Sequence, residues 1–235
     1  MPTTLVIGGS SGIGLATAVR LAALGDIVHI AGRRAEILES ATQTHPELQP
    51  HVLDAAEARA VEELCVELGE IDRLVITLSG NKGAGPLADL DLDVLRSAFE
   101  EKLWPTVTAL KAALPCLGPS SSITLVGAVT ARTGMPGTAG IGALNAAIEG
   151  LVAPLAAELA PIRVNAVSPG YVETPWWSMV PESDRAGLFA QIAAGLPTGR
   201  IASADDIAQV LVLLATNPNI TGSVIESDGG AHLAV

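Results

Sequence analysis

The stretch Val6-Ile7-Gly8-Gly9-Ser10-Ser11-Gly12-Ile13-Gly14 restricts this chain more than any other, because an apolar run ends in glycines and helical apolar spacing begins directly after them. Without Cβ atoms, Gly8 and Gly12 let the backbone turn sharply and approach a pyrophosphate, whose charge meets the free N–H groups at the helix start. Gly14 lets that helix pack close to the sheet, while Ser10, Ser11 and Ile13 belong to the same cradle. A glycine turn kept only for packing would use the same residues. Here, however, strand, glycine pattern and helix all agree with a dinucleotide-binding turn.

The rest of the chain repeats the strand-then-helix alternation. Apolar β-type runs occur at Leu5–Ile7, Ile27–Ala31, His51–Leu53, Leu74–Thr77, Ile123–Val126, Arg163–Val167 and Val224–Glu226. Helical spacing runs over Ile13–Leu24, stopping at Gly25, and over Ala56–Leu68, stopping at Gly69; both glycines suit a left-handed cap. Such βαβ crossovers require a parallel sheet covered by helices on both faces, an α/β fold of three layers. With 49% apolar and only 3% aromatic residues, the core must consist mainly of Ala, Val, Leu and Ile. The 235 residues fit one domain spanning 1–235. The least regular stretch, 169–196, follows a strand's carboxyl end and is a candidate lid over the ligand crevice.

At the end of the second strand, Ala31-Gly32-Arg33-Arg34 stands where an acidic residue would hold a ribose 2′-hydroxyl. Arg33 can pair with a 2′-phosphate in a two-pronged contact, and Arg34 can stack or add a second charge, which points to NADP(H). The alternative is a pair of solvated arginines. Asp54, after the third strand, could accept from the adenine amino group or cap the helix starting near Ala56.

These motifs, with Asp72-Arg73-Leu74-Val75, Arg163-Val164-Asn165-Ala166-Val167-Ser168-Pro169-Gly170 plus Thr174, and Thr221-Gly222 followed by Asp228-Gly229-Gly230, resemble the short-chain dehydrogenase/reductase superfamily over essentially the whole length. The resemblance implies a doubly wound Rossmann fold with a seven-stranded parallel sheet, a nicotinamide cofactor across its carboxyl edge, and a homodimer or homotetramer. It also implies that the backbone at Pro169, Gly170 and Val172 and the hydroxyl of Thr174 touch the nicotinamide end. The family's catalytic pattern is a Tyr, a Lys four positions later, a Ser thirteen positions before the Tyr, and an Asn in the preceding long helix. Carried onto this chain, those places fall on Ile141, Asn145, Ala128 and Lys102. Tyr171 is the single tyrosine, so a small alignment slip restores no phenol.

Hydride transfer belongs to the cofactor, but reducing a ketone also requires a proton at the developing alkoxide. Ile141 and Ala128 can supply none. Lys102, partly desolvated, would have a lowered pKa and could donate to a substrate oxygen or a ribose hydroxyl; alternatively it is exposed and paired with Glu100 or Glu101. Asn145 could hydrogen-bond the nicotinamide ribose or serve an internal helix contact. Thr77, Ser79, Thr130 and Thr138 are further hydroxyls near the same edge, each as suited to a turn. Trp176 and Trp177 could close an apolar substrate wall or make packing and oligomer contacts. Three functions remain open: an NADP(H)-dependent oxidoreductase for a small-molecule, apolar, already activated acceptor such as an iminium or quinone; a cofactor-binding protein without turnover; and non-redox chemistry on the same scaffold.

A formal charge of −12 without a basic run argues against nucleic acid as a partner. Cys65 and Cys116 are the two cysteines; they read as free thiols, and no metal-ligand cluster is expected. The start Met1-Pro2-Thr3-Thr4 has neither the basic residues nor the cleavable apolar stretch of a leader. The Ala-rich segment 139–160 carries Asn145, Glu149, Pro154 and Glu158, and no membrane span is expected. The setting this implies is cytoplasmic. The helices around 91–116 and 139–160 are the expected contacts of a homo-oligomer.

Overall fold

In the computed structural model, which describes residues 1–233, each β-type run becomes a strand. The order along the chain is β1 (Thr3–Ile7), α1 (Gly12–Ala23), β2 (Ile27–Gly32), α2 (Ala35–Thr44), β3 (Gln49–Val52), α3 (Ala58–Leu68), β4 (Ile71–Ile76), α4 (Leu92–Ala113) and β5 (Leu117–Val126). There follow α5 (Ala139–Gly150), α6 (Val152–Glu158), β6 (Arg163–Pro169), β7 (Val172–Glu173), α7 (Glu182–Gly195), β8 (Ala202–Ser203), α8 (Ala204–Thr216) and β9 (Val224–Ser227). Seven strands form one sheet in the order β3-β2-β1-β4-β5-β6-β9, and every pairing in it is parallel. This is the expected three-layer Rossmann fold. Two short strands, β7 and β8, pair separately; no apolar run announced them.

Alternation along each strand divides the core between the two faces. Leu5, Leu74, Ile76, Ile123 and Leu125 pack with Val61 of α3, Ala109 of α4 and Ile148 of α5. Their neighbours Val6, Ile30 and Val75 pack on the opposite face with Ala18 and Leu21 of α1 and Leu38 of α2, and Val167 joins Ile207 and Leu211 of α8 there. The motifs at the sheet's other edge are structural. Buried Asp26 accepts from Thr4 Oγ1 at 2.7 Å and from the Arg73 guanidinium at 2.5 Å. Arg163 donates to the carbonyls of Leu214 and Ala215 at 2.7 Å each, satisfying the open end of α8. Asn165 bridges Ile220 O and Ser223 N, which fixes the approach to β9.

Three expectations need correction. The segment 139–160 is not one helix: it breaks at Leu151 into α5 and α6, so Pro154 lies in the first turn of α6, where no intrahelical donor is lost. By length and composition Ala139–Glu158 does reach what a bilayer crossing needs, with a mean hydropathy of 1.4, contrary to the expectation for it. In the fold it lies against β5, β6 and α4, with Asn145 and Glu149 buried. The stretch 169–196 is also more regular than its sequence suggests, since it contains a 3-10 turn at Pro175–Met179 and the 14-residue α7.

Candidate active site and cofactor crevice

Because all strands of the main sheet run the same way, the glycine turn, Arg33, Asp54, Thr77, Gly127 and Gly170 all emerge at one carboxyl edge. Gly8 and Gly12 have positive φ, +88° and +54°, which side-chain-bearing residues rarely adopt. A Cβ on Gly14 would stand 2.2 Å from Gly8 O, and one on Gly8 would stand 2.7 Å from Thr77 Oγ1. Thr77 donates to the carbonyls of Ile7 and Gly8 at 3.2 and 3.1 Å, so it secures the turn. Ser11 precedes α1 without capping it, which leaves the first-turn donors at Gly12, Ile13 and Gly14 for another acceptor. Ser10 Oγ packs 3.2 Å from the Cβ position of Gly32, bringing the glycine turn against the end of β2. There Arg33 and Arg34 are exposed, and neither has an ion-pair partner among the described residues. Asp54 Oδ1 accepts from Ala56 N at 3.0 Å in a local turn; it does not cap a helix, because α3 begins only at Ala58, with Glu57 at its N-cap.

Lys102 is buried, not exposed, and is paired with neither Glu100 nor Glu101; Glu101 binds Lys82 instead. Its Nζ donates to Asn145 Oδ1 at 2.7 Å and to Gly127 O at 3.3 Å. An ammonium has three donors, so a third remains. Burial pushes the Lys102 pKa down to about 8, opposed by the charge of Glu149. Asn145 is held in turn, its Nδ2 donating to Thr130 Oγ1 at 2.9 Å and to Ile141 O at 3.0 Å. The internal contact and the place beside Lys102 are therefore compatible. Ile141 itself lies one turn earlier on α5 and offers only an apolar side chain.

Behind this pair runs a chain of alternating charge that residue spacing alone did not bring forward. Glu149 Oε2 accepts from Arg132 Nε at 2.9 Å, and Arg132 also reaches Glu226 Oε1 at 2.8 Å. Glu226 lies 3.6 Å from His232 Nε2, whose Nδ1 is 2.7 Å from Asp228 Oδ2. That hydrogen bond raises the His232 pKa. The one available signal was the acid at Glu149, four residues past Asn145 on an otherwise apolar helix, a spacing that puts both on one face.

The segment after β6 touches both the glycine turn and the loop after β4. Gly170 packs on Asp228, where a Cβ would meet Asp228 O at 2.6 Å. Thr174 lies 3.4 Å from the Cβ position of Gly12, at the glycine turn, and its Oγ1 caps Trp176 N at 3.4 Å. Val172 is buried and its carbonyl accepts from Trp177 Nε1 at 2.9 Å. Trp177 is thus a packing residue, set edge-on to Phe189 at 5.5 Å between ring centroids. Trp176 reaches across the opening, donating from Nε1 to Gly80 O at 3.1 Å. Ser79 stands beside that loop glycine, and Thr138 donates to Met135 O at 2.8 Å in a turn.

A family model described as enoyl-(acyl carrier protein) reductase matches residues 8–232. The chain belongs to the short-chain dehydrogenase/reductase superfamily. Over 249 residues it is 31% identical to the 3-oxoacyl-[acyl-carrier-protein] reductase of Thermotoga maritima, covering 96% of each chain. A small-chain dehydrogenase solved in complex with NADPH shares 34% identity, with a TM-score of 0.87 over 99% of both chains. An NADPH-bound short-chain oxidoreductase from Pseudomonas aeruginosa PAO1, described as containing an atypical catalytic center, shares 29% identity at a TM-score of 0.89, covering 98% of this chain and 96% of that one.

The buried ammonium has a consequence for stability. Lys102 keeps its proton below about 8 in the folded chain, whereas its ordinary value is 10.5. Between those values the unfolded state binds more protons, so stability rises with pH. Compared with Lys102→Met, the wild type should therefore gain up to about 3 kcal/mol as pH rises through that window. Urea unfolding of both proteins at several pH values checks this, and a difference independent of pH would contradict the buried charge.

Proposed function

We propose that the chain is an NADP(H)-dependent oxidoreductase acting on an apolar, activated acceptor, with Lys102 as its proton donor. The observation carrying this reading is the Lys102 ammonium, buried and held by Asn145 and Gly127 O with one donor to spare. Glycines whose Cβ positions are already taken, the uncapped start of α1 and the exposed Arg33 fit a dinucleotide with a 2′-phosphate. Gly8, Ser10, Ser11, Gly12, Ile13 and Gly14 would hold its pyrophosphate, Arg33 and Arg34 its 2′-phosphate, Asp54 its adenine, and Asn145, Pro169, Gly170, Val172 and Thr174 its nicotinamide half. When bound, NADPH supplies a hydride. Lys102 gives the developing oxyanion a proton from Nζ and takes one back from solvent. Asn145 orients that nitrogen, while Trp176, Tyr171 and Met135 offer an apolar wall that keeps water from the acceptor. A residue at Ile141 without a proton restricts the enzyme to acceptors that need little acid help.

The whole chain acts as one cofactor-binding unit on this reading, and free Cys65 and Cys116 suit a cytoplasmic setting. NADPH should bind at least about tenfold more tightly than NADH, a difference of only ~1.4 kcal/mol for a charge-assisted contact. Fluorescence titration of both nucleotides reads this, and an equal affinity, or a preference surviving in Arg33→Ala, refutes the assignment.

Turnover is tested by following NADPH absorbance against carbonyl, imine and quinone panels. Reduction of a productive acceptor that takes up a proton should decline as pH rises through about 8, where Lys102 loses its proton. Lys102→Met should lower the rate by about 10²–10⁴-fold with NADPH binding retained. Fast ketone reduction that persists in this variant sinks the assignment of the donor, and binding without turnover of any acceptor marks a cofactor-binding protein instead.

We also propose a homo-oligomer built on α4 and α5. Leu92, Val94 and Trp104 are exposed along α4, and α5 presents Ala143 and Ala146 outward, a surface that could meet its own copy across a two-fold axis. Light scattering should give twice or four times the 23.9 kDa chain mass, and Ala146→Trp should dissociate the assembly. A clean monomer mass for the wild type would rule this out.

A further inference from the structure

The groups outside the crevice include one that the proposed reaction does not use. Glu149 is a carboxylate buried to 8% exposure, and such a group is costly to bury unless its charge is compensated. It sits on the face of α5 that carries Asn145. Its side chain lies on Gly127, where a Cβ would be 2.6 Å from Oε1, and the carbonyl of that same glycine accepts from Lys102. Arg132 holds Oε2, while Oε1 has no hydrogen-bond partner among the described residues. The carboxylate and the ammonium thus lie against one backbone residue without touching.

We infer that Glu149 is a positioning residue for the Lys102 ammonium: from behind Gly127 its carboxylate stabilises the proton on Nζ, and Arg132 tempers that effect by neutralising part of the charge. The inference rests on the reading of Lys102 as proton donor. A lysine buried with only neutral acceptors would be discharged at neutral pH and have no proton to give. An unscreened carboxylate in direct contact would hold the proton too firmly to release it. Glu149 lies between these limits, and its attraction raises the Lys102 pKa against burial. The charged and titratable groups around Lys102 are few. From α5 comes Glu149, and from the turn after β5 comes Arg132; Glu226, His232 and Asp228 lie behind Arg132. Lys82 and Glu101 pair with each other. Replacing Glu149 therefore changes the nearest compensating charge.

The sequence has three lysines, Lys82, Lys102 and Lys111, so carbon-13 labelling of lysine gives a spectrum in which Lys102 is assigned by its loss in Lys102→Met. Its titration can be followed directly in the full-length protein without substrate. In Glu149→Gln, which keeps the shape against Gly127, the Lys102 midpoint should fall by about half a unit or more. The alkaline limit of NADPH consumption should move down with it. Arg132→Met leaves the buried Glu149 carboxylate without its hydrogen-bond partner and so costs stability, but it should move the midpoint up because the carboxylate is no longer tempered. An unchanged midpoint in Glu149→Gln overturns the inference, as does an unchanged or lowered midpoint in Arg132→Met should the first variant fail to fold. The two readings fail separately. If Lys102→Met abolishes turnover but Glu149→Gln moves nothing, Glu149 has no such role; if the midpoint moves but Lys102→Met turns over normally, the donor assignment alone is wrong.

Discussion

A methyl group at Gly14 would sit 2.2 Å from the carbonyl oxygen of Gly8, so α1 can begin directly beneath the end of β1 only because the residue there is glycine. That close approach fixes more than one turn. It brings the first N–H groups of α1 to the carboxyl edge of the sheet, and it leaves room for the Thr77 hydroxyl to bond the Ile7 and Gly8 carbonyls from the neighbouring strand. The loop after β4 is thereby anchored beside the glycine turn, and Trp176 reaches that loop from the segment after β6. Parallel strands do the rest, since every connection that leaves a carboxyl end must start on this one side. The crevice is therefore a consequence of strand direction, and the glycine contact decides how close a ligand's phosphates can come to backbone.

At the opposite side of the crevice the fold tolerates an unfavourable feature. A buried ammonium costs free energy in proportion to its depressed pKa, and Lys102 is buried to 7% exposure. Two carbonyl-type oxygens, of Asn145 and Gly127, recover part of that cost. Perturbed titration of this kind collects at functional sites, which is why the proposed chemistry is placed on this cation.

Much of the architecture was legible because it follows from periodicity. Seven apolar runs mapped onto the seven strands, with ends displaced by a few residues where polar residues such as Gln49 and Arg73 complete the ladder. The short pair β7 and β8 was not legible, since two residues in each carry no period. Nor was the break at Leu151, because Ala, Gly and Leu on either side suit one helix as well as two. In the site, glycines and Arg33 could be assigned by type and place, but whether Lys102 was buried depended on contacts across 25 to 43 residues of sequence. Arg132, Glu226 and Glu149 escaped notice for the same reason: each is an ordinary charged residue until the turn after β5, β9 and α5 are brought together.

The orientation of the Asn145 amide shows how the pieces work as one. Its nitrogen donates to the carbonyl of Ile141, one turn earlier in α5, and to the hydroxyl of Thr130. With both amide hydrogens so used, the amide oxygen must point at Lys102, and it can accept only. A lysine nitrogen can donate to that oxygen whether charged or neutral, so Asn145 holds Nζ in place without dictating its protonation. Thr106, which donates to the backbone carbonyl of Lys102 at 2.7 Å, steadies the helix on which the lysine stands. Position and charge are thus governed by different neighbours: neutral groups fix where the nitrogen sits, while burial lowers its affinity for a proton and the more distant Glu149 raises it. An ammonium held this way can change its protonation without leaving its site, which is what a proton donor that must be recharged between turnovers requires.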